Sequence, residues 1–303
     1  MSLTHQQPIP LPADQWRAEE PLTKHTTFQI GGPADLMAWP ANAEEVAALL
    51  AWAKAEAWPV FILGLGSNLL VSDRGMAGLV INMSRMTDLS WPEPDLCYAA
   101  CGLPLADVSR AAQAQGMSGL EFACGIPGSL GGAVFMNAGA YDGEMKDVIE
   151  WVDVMDADGH ISRLDNHEMD FAYRHSRLKD APLYCLGAAM RLTPANPDAI
   201  ARRMAELTDK REQRQPLDMP SAGSVFKRPP GHFAGPLIIE SGLQGYRVGG
   251  AQVSMKHAGF IVNVGGATAQ DVLSLIAHVQ AVVAEKTGIH LETEVRPVGR
   301  PMV

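Results

Sequence analysis

Two hydrophobic periods alternate along this chain, and each switch between them marks an element. Residues 34–39 (ADLMAW) read as a strand. Asn42 then opens a helix, with Glu45 three places on as a capping-box partner and apolar spacing out to about Ala57. PVFILG, residues 59–64, is a short buried-strand run that empties into a glycine turn, and 78–83 is another strand. LCYAACG (96–102) leads into a helix over 104–115 that Gly116 ends. The runs VIEWVDVM and HISRL flank Asp156-Ala157-Asp158-Gly159, which predicts a hairpin. A strand at 184–192 and a charged helix at 198–213 follow, with the main boundary at Pro194 and Pro197. Over 269–286, Val272, Leu275, Ile276, Val279, Val282 and Val283 share one helical face, with Thr268 and Gly288 as caps. HLETEVRPV alternates as a strand, with Ile289, Leu291, Thr293 and Val295 on one side and His290, Glu292, Glu294 and Arg296 on the other. The proline-bearing start reads as an irregular extension. These patterns predict a mixed α+β protein of two domains.

Composition narrows the class of function. The chain has 303 residues, is 47% hydrophobic, and carries a net charge of −10. That apolar share excludes wholesale disorder, and charges or Gly/Pro break every apolar run before the roughly 18 residues a membrane span needs. The first residues have neither a basic region nor an apolar core, so they do not read as a secretory signal. An acidic balance argues against general nucleic-acid binding. Cys97, Cys101, Cys124 and Cys185 form no C-x-x-C pair, and the nine histidines form no ligand cluster. The expectation is a cytoplasmic protein with reduced thiols, no metal, no nucleic-acid partner and no membrane insertion.

Two glycine-rich segments carry the chemistry. Gly64-Leu65-Gly66-Ser67-Asn68 follows a buried strand, so its backbone N–H groups can converge on a pyrophosphate, with Ser67 and Asn68 adding donors. It lacks the third glycine of G-x-G-x-x-G and the Lys-Ser/Thr of a P-loop, and taken alone such a turn is more often just a tight loop. Residues 125–144 (GIPGSLGGAVFMNAGAYDGE) hold six glycines among apolar residues. Either backbone packs closely on backbone there, or a flat ligand lies against it.

GLGSN, GIPGSLGGAVFMNAGAY, FAYRHSRLK, AGSVFKRP, GGAQVSMKHAGFIVN and ETEVRPVG occur in this order over residues 26–299. The ordered set resembles the UDP-N-acetylenolpyruvoylglucosamine reductase (MurB) family, in its shorter class without an extra tyrosine loop. The resemblance implies an N-terminal extension at 1–22 and an FAD-binding domain of the p-cresol methylhydroxylase/vanillyl-alcohol oxidase (PCMH/VAO) type at 23–193. That domain would have two α+β lobes, about 23–92 and 93–193, and a smaller α+β substrate-binding domain would cover 194–303. It assigns Gly64, Leu65, Gly66, Ser67 and Asn68 to the FAD pyrophosphate, and Pro127, Ser129, Gly139 and Arg296 to further FAD contacts. The flavin is expected to be noncovalent, although Cys124 stands beside the second glycine segment.

The implied reaction is NADPH-dependent reduction of an enolpyruvyl ether by a ping-pong mechanism. A nucleotide sugar is the substrate, UDP-N-acetylmuramate the product, and peptidoglycan synthesis the setting, for an enzyme acting as a monomer. Hydride adds at C3 of the vinyl group, charge develops at C2 and the carboxylate, and C2 is then protonated. Read alone, Arg174 is a surface arginine beside aromatics, Ser224 a turn serine and Glu294 a carboxylate on a polar strand face. The resemblance makes Arg174 the donor that stabilises the enolate, Ser224 the acid at C2, and Glu294 the assisting third group. Lys227, Arg247, Lys256 and His257 are candidates to hold substrate. Gln244 stands where many relatives have Lys, which removes one charge-assisted contact. Two rivals remain at this level: an FAD-dependent oxidase of the same fold acting on another small substrate, and a non-catalytic nucleotide-sugar binding protein.

Overall fold

The computed structural model describes residues 7–301. The first six residues of the expected N-terminal extension lie outside the described residues. Six α-helices are present among the described residues: α1 (Ala43–Ala55), α2 (Leu105–Ala114), α3 (Leu130–Met136), α4 (Pro197–Arg214), α5 (Ala234–Glu240) and α6 (Ala269–Thr287). The chain forms two compact units, each discontinuous in sequence. One holds the chain up to Ala18 with Leu36–Leu65 and Gly78–Arg211, and the other holds Glu19–Asp35, Gly66–Ala77 and Glu212 onward.

The first unit is built on a five-stranded antiparallel sheet. Its order is Ile161–Asp165, Ile149–Asp156, Leu183–Arg191, Leu96–Ala100 and Leu89–Glu93. The predicted hairpin pairs Trp151 with Asp165 and Met155 with Ile161. Its turn forms because the Asp156 carboxylate accepts the Asp158 and His160 N–H groups at 2.8 and 2.9 Å, while Gly159 takes φ +86°. Val152, Val154, Ala188 and Met190 share a core with Leu105, Val108 and Ala112 of α2 and with Leu130 and Val134 of α3. Val60–Leu63 runs parallel to Met76–Asn82, with Val60 opposite Leu79. At the start of α1 the Asn42 side chain accepts the Glu45 N–H. The Glu45 carboxylate takes the Ala41 N–H at 2.7 Å, one residue short of a capping box.

A four-stranded antiparallel sheet organises the second unit, in the order Ser221–Ser224, Phe260–Asn263, Ala251–Val253 and Arg247–Val248. Val272, Leu275, Ile276, Val279 and Val283 of α6 are buried with Ile238 of α5, Val225 and Ile261. Each such side chain contributes roughly 1.5–3 kcal/mol on leaving water. Thr268 and Asp271 form a reciprocal capping box, and Gly288 closes the helix in the left-handed region.

Two expectations fail. Residues 290–297 do not form one continuous strand. Only Arg296–Val298 does, paired in parallel with Leu69–Val71, while Thr293 makes a single bridge to Phe226. Alternation supplied a surface for pairing, but the backbone found a parallel partner only beyond the bend at Val295. The start is also less irregular than expected: Trp16–Pro21 is a strand, where WRAEE offers five residues free of proline.

Candidate functional site

In the first unit, Gly64 leaves the strand Val60–Leu63 and Leu65 follows it, and a Cβ on Gly64 would run into the Ser129 hydroxyl. Ser129 is 2% exposed and caps α3, its Oγ accepting the Gly132 N–H at 3.3 Å. Around it Gly128 O accepts from Leu105 N–H at 2.9 Å, and Gly131 N–H donates to Cys101 O at 2.8 Å. Close packing explains several glycines of this segment. A Cβ on Gly131 would lie 2.9 Å from Cys101 Cβ, one on Gly139 2.6 Å from Gly143 O, and one on Gly143 2.7 Å from the Phe122 ring. Pro127 sits in the turn between the 3-10 segment Glu121–Ala123 and the Ser129 cap.

Gly139 and Arg174 come together, with Arg174 Nη2 donating to Gly139 O at 3.4 Å. Arg174 has φ +55° in a turn closed by reciprocal hydrogen bonds between Ala172 and His175. For a non-glycine residue that conformation costs about 1–2 kcal/mol. Asn137 holds both loops in place. It is fully buried at the left-handed end of α3, donates to Glu144 Oε2 and Ala172 O at 2.9 and 3.0 Å, and accepts the Lys146 N–H at 2.9 Å. The sequence reading missed Asn137. Asparagine closing an apolar helix run was the available signal.

Arg211, on α4, was also missed. Its stem packs on Gly125, where a Cβ would lie 2.9 Å from Arg211 Cδ. Its Nε is buried without an acceptor among the described residues. Cys124, the neighbour of Gly125, has its Sγ 3.7 Å from both Met204 O and Thr208 Oγ1 of the same helix.

In the second unit, hydrogen bonds to backbone groups knit four predicted positions together. Asn68 Nδ2 donates to Glu294 O at 3.1 Å, and Arg296 N–H donates to Asn68 O at 3.0 Å. Glu294 N–H donates to Val225 O at 2.7 Å, next in sequence to Ser224. Gly66 and Ser67 precede them, and a Cβ on Gly66 would overlap His25 O. Half-buried Ser224 donates its hydroxyl to Phe226 O at 3.1 Å. His257 faces it across Gly259: a Cβ there would be 3.4 Å from Ser224 Oγ and 3.1 Å from His257 Nδ1. Burial lowers the His257 pKa, and Gly259 N–H donates to Nδ1 at 3.1 Å, which assigns the ring proton to Nε2. Burial lowers Arg296 as well.

The other basic candidates are engaged with protein groups. Lys227 pairs with exposed Glu292 at 3.0 Å, Arg247 Nε donates to Gly249 O at 2.6 Å, and Lys256 Nζ to Glu212 O at 2.5 Å. Gln244 donates to Met255 O at 2.8 Å, a contact a lysine there could also make. No helix among the described residues is long and apolar enough to cross a membrane.

Comparison with known proteins gives two family matches. Residues 34–165 match the FAD binding domain, and residues 215–298 match the C-terminal domain of UDP-N-acetylenolpyruvoylglucosamine reductase. The chain is 50% identical to the UDP-N-acetylenolpyruvoylglucosamine reductase of Pediococcus pentosaceus, over 95% of this chain and 96% of that protein. It is 48% identical to the enzyme of that name from Caldanaerobacter subterraneus subsp. tengcongensis, over 92% of each chain. The crystal structure of UDP-N-acetylenolpyruvylglucosamine reductase (MurB) from Thermus caldophilus superposes with a TM-score of 0.80. It is 36% identical and covers 93% of this chain and 98% of that one. The residues present fit a flavin dinucleotide: a buried guanidinium N–H without an acceptor stands beside the glycine segment that begins at Gly125.

Proposed function

Because the chain belongs to the UDP-N-acetylenolpyruvoylglucosamine reductase family, we propose how its own residues divide that reaction. It is an FAD-containing oxidoreductase of peptidoglycan synthesis that reduces the enolpyruvyl ether of UDP-N-acetylglucosamine, with NADPH as co-substrate. FAD, when bound, relays the two electrons of NADPH to the enolpyruvyl double bond.

Reduction at C3 throws negative charge onto C2 and the adjacent carboxylate. Arg174, a permanent planar cation, donates to that carboxylate and stabilises the enolate. Ser224 delivers the proton to C2. In the resting geometry its hydroxyl points at Phe226 O, so delivery requires that hydrogen bond to be exchanged for substrate. Glu294 assists the proton's passage. The observation that carries this division is the 2.7 Å hydrogen bond from Glu294 N–H to Val225 O, which fixes the glutamate beside the serine's strand.

The flavin is bound noncovalently by Gly64, Leu65, Gly66, Ser67, Asn68, Pro127, Ser129, Gly139 and Arg296, and Cys124 keeps its thiol. Residues 23–193 serve FAD, and 194–303 serve substrate apart from Arg296. His257, through Nε2–H, contacts the nucleotide sugar, while Lys227, Arg247 and Lys256 must exchange their protein partners to do so. The enzyme works as a cytoplasmic monomer without nucleic-acid partners, a reading supported by its net charge of −10 and its free cysteines.

Separating the half-reactions anaerobically tests the central assignment. Ser224→Ala should still bleach with NADPH but be reoxidised by the enolpyruvyl substrate at least ~10²-fold more slowly, the low end for a lost positioned acid. Reoxidation at the normal rate removes Ser224 from the mechanism.

A further inference from the structure

We infer that Lys179 is a positioning residue for the reaction: its ammonium group holds the Arg174 peptide in the turn that aims the guanidinium. This rests on the reading that Arg174 stabilises the enolate.

Arg174 sits at φ +55°, a region that residues with a side chain seldom occupy, so something around it must hold the turn. Both flanks of the turn are tied to α3 and its end. On one side Ala172 O accepts from the buried Asn137 side chain at 3.0 Å. On the other, the fully buried Ser176 donates its hydroxyl to Phe135 O at 2.9 Å. Ala172 and His175 close the turn between them. The Arg174 carbonyl lies at the tip, inside that closure, and Lys179 Nζ donates to it at 2.7 Å.

Lys179 is brought back to the tip by local structure. The 3-10 segment Arg177–Lys179 starts from Ser176, and Lys179 N–H donates to Ser176 O at 3.0 Å. Its Nζ also stands 5.5 Å from the centre of the Phe135 ring, so α3 steers the ammonium as well as anchoring the serine. A charged donor makes a hydrogen bond roughly twice as strong as a neutral one. It therefore fixes the plane of the peptide after Arg174, and with it the direction in which the side chain leaves. At the far end the guanidinium lies 5.1 Å from the Tyr173 ring centre and reaches Gly139 O at 3.4 Å, a long contact that leaves its donors available for exchange. Backbone and not side-chain contacts thus set the aim of Arg174.

The experiment follows reoxidation of the reduced holoenzyme by the enolpyruvyl substrate, anaerobically, in Lys179→Met, Lys179→Arg, Arg174→Met and the Lys179→Met/Arg174→Met double variant. Methionine keeps an unbranched stem beside Phe135 but cannot donate. Its limiting rate should fall about tenfold, short of the ~10²-fold that a misplacement of 1 Å can cost. The half-saturating substrate concentration should change less than threefold, and Lys179→Arg should restore most of the rate. In the double variant the loss should be no larger than in Arg174→Met alone, because there is no guanidinium left to aim. Losses that multiply in the double variant would overturn the proposal, and so would a raised half-saturating concentration at an unchanged limiting rate, which would make Lys179 a surface charge attracting an anionic substrate. A lower melting temperature with an unaltered limiting rate would leave Lys179 only a structural part. Normal reoxidation of Arg174→Met would instead sink the underlying reading of Arg174.

Discussion

Gly66→Ala measures how tightly the first glycine loop is built. Gly66 sits at φ +63°, so alanine there incurs the left-handed penalty of about 1 kcal/mol. Its Cβ would also overlap His25 O and lie 2.9 Å from Thr26 Cα, and backbone atoms cannot swing aside as a flexible side chain can. Overpacking of that kind adds roughly 1–3 kcal/mol, for a total near ~2–4 kcal/mol. Gly288 provides the internal control. It has a similar φ of +74°, but nothing lies within 4 Å of a Cβ placed there, so Gly288→Ala should cost only the first, ~1 kcal/mol, component. Urea unfolding of both variants, with midpoints compared at unchanged slope, isolates the difference. Gly66→Ala should in addition lose FAD on purification, because the loop cannot close on His25 and Thr26 without moving Ser67 and Asn68. Equal losses of stability in the two variants, with FAD retained in both, would refute the claim that close backbone approach shapes this loop.

What the sequence revealed, and what it hid, follows from the range of the forces involved. The hairpin at 149–165 and both caps of α6 were readable because each depends on residues within four positions of one another, such as Asp156 with His160 or Thr268 with Asp271. The segment containing Glu294 was half readable. Its alternation is real, but where it pairs depends on Leu69–Val71, more than 200 residues earlier, and no local pattern announces that partner. Gly139 meets Arg174 through Asn137, whose three hydrogen bonds span 7 to 35 residues. Arg211 was hidden most completely. In a helix as charged as α4 an arginine reads as solvated, and only its partial burial against Gly125 distinguishes it from Arg202 and Arg203, which are exposed.

Three further predictions follow from side chains already described. Glu292→Gln should leave turnover within about threefold and stability within ~1 kcal/mol, because the Lys227–Glu292 pair is a surface one, whereas Glu294→Gln should slow the enolpyruvyl half-reaction ~10²-fold; equal losses would show that the two carboxylates are wrongly distinguished. Of the four thiols, Cys124 should react first with a disulfide reagent in the native protein, since burial pushes Cys97 up to about 11 and Cys101 to about 12; comparable labelling of Cys97 would contradict its burial. Asp271 sets a pH dependence whose sign is fixed by its partners. The Thr268 N–H, foremost, and then that of Gly250 hold its carboxyl below the ordinary aspartate range. Its contribution is therefore complete above the unfolded value, near 4, and is lost as pH falls through the lower folded value. Asp271→Asn should melt earlier than the unaltered protein at pH 6, with the gap closing as the solution is acidified below pH ~4. A gap that stays constant down to the acid transition would mean that the carboxylate's charge contributes nothing to the α6 cap.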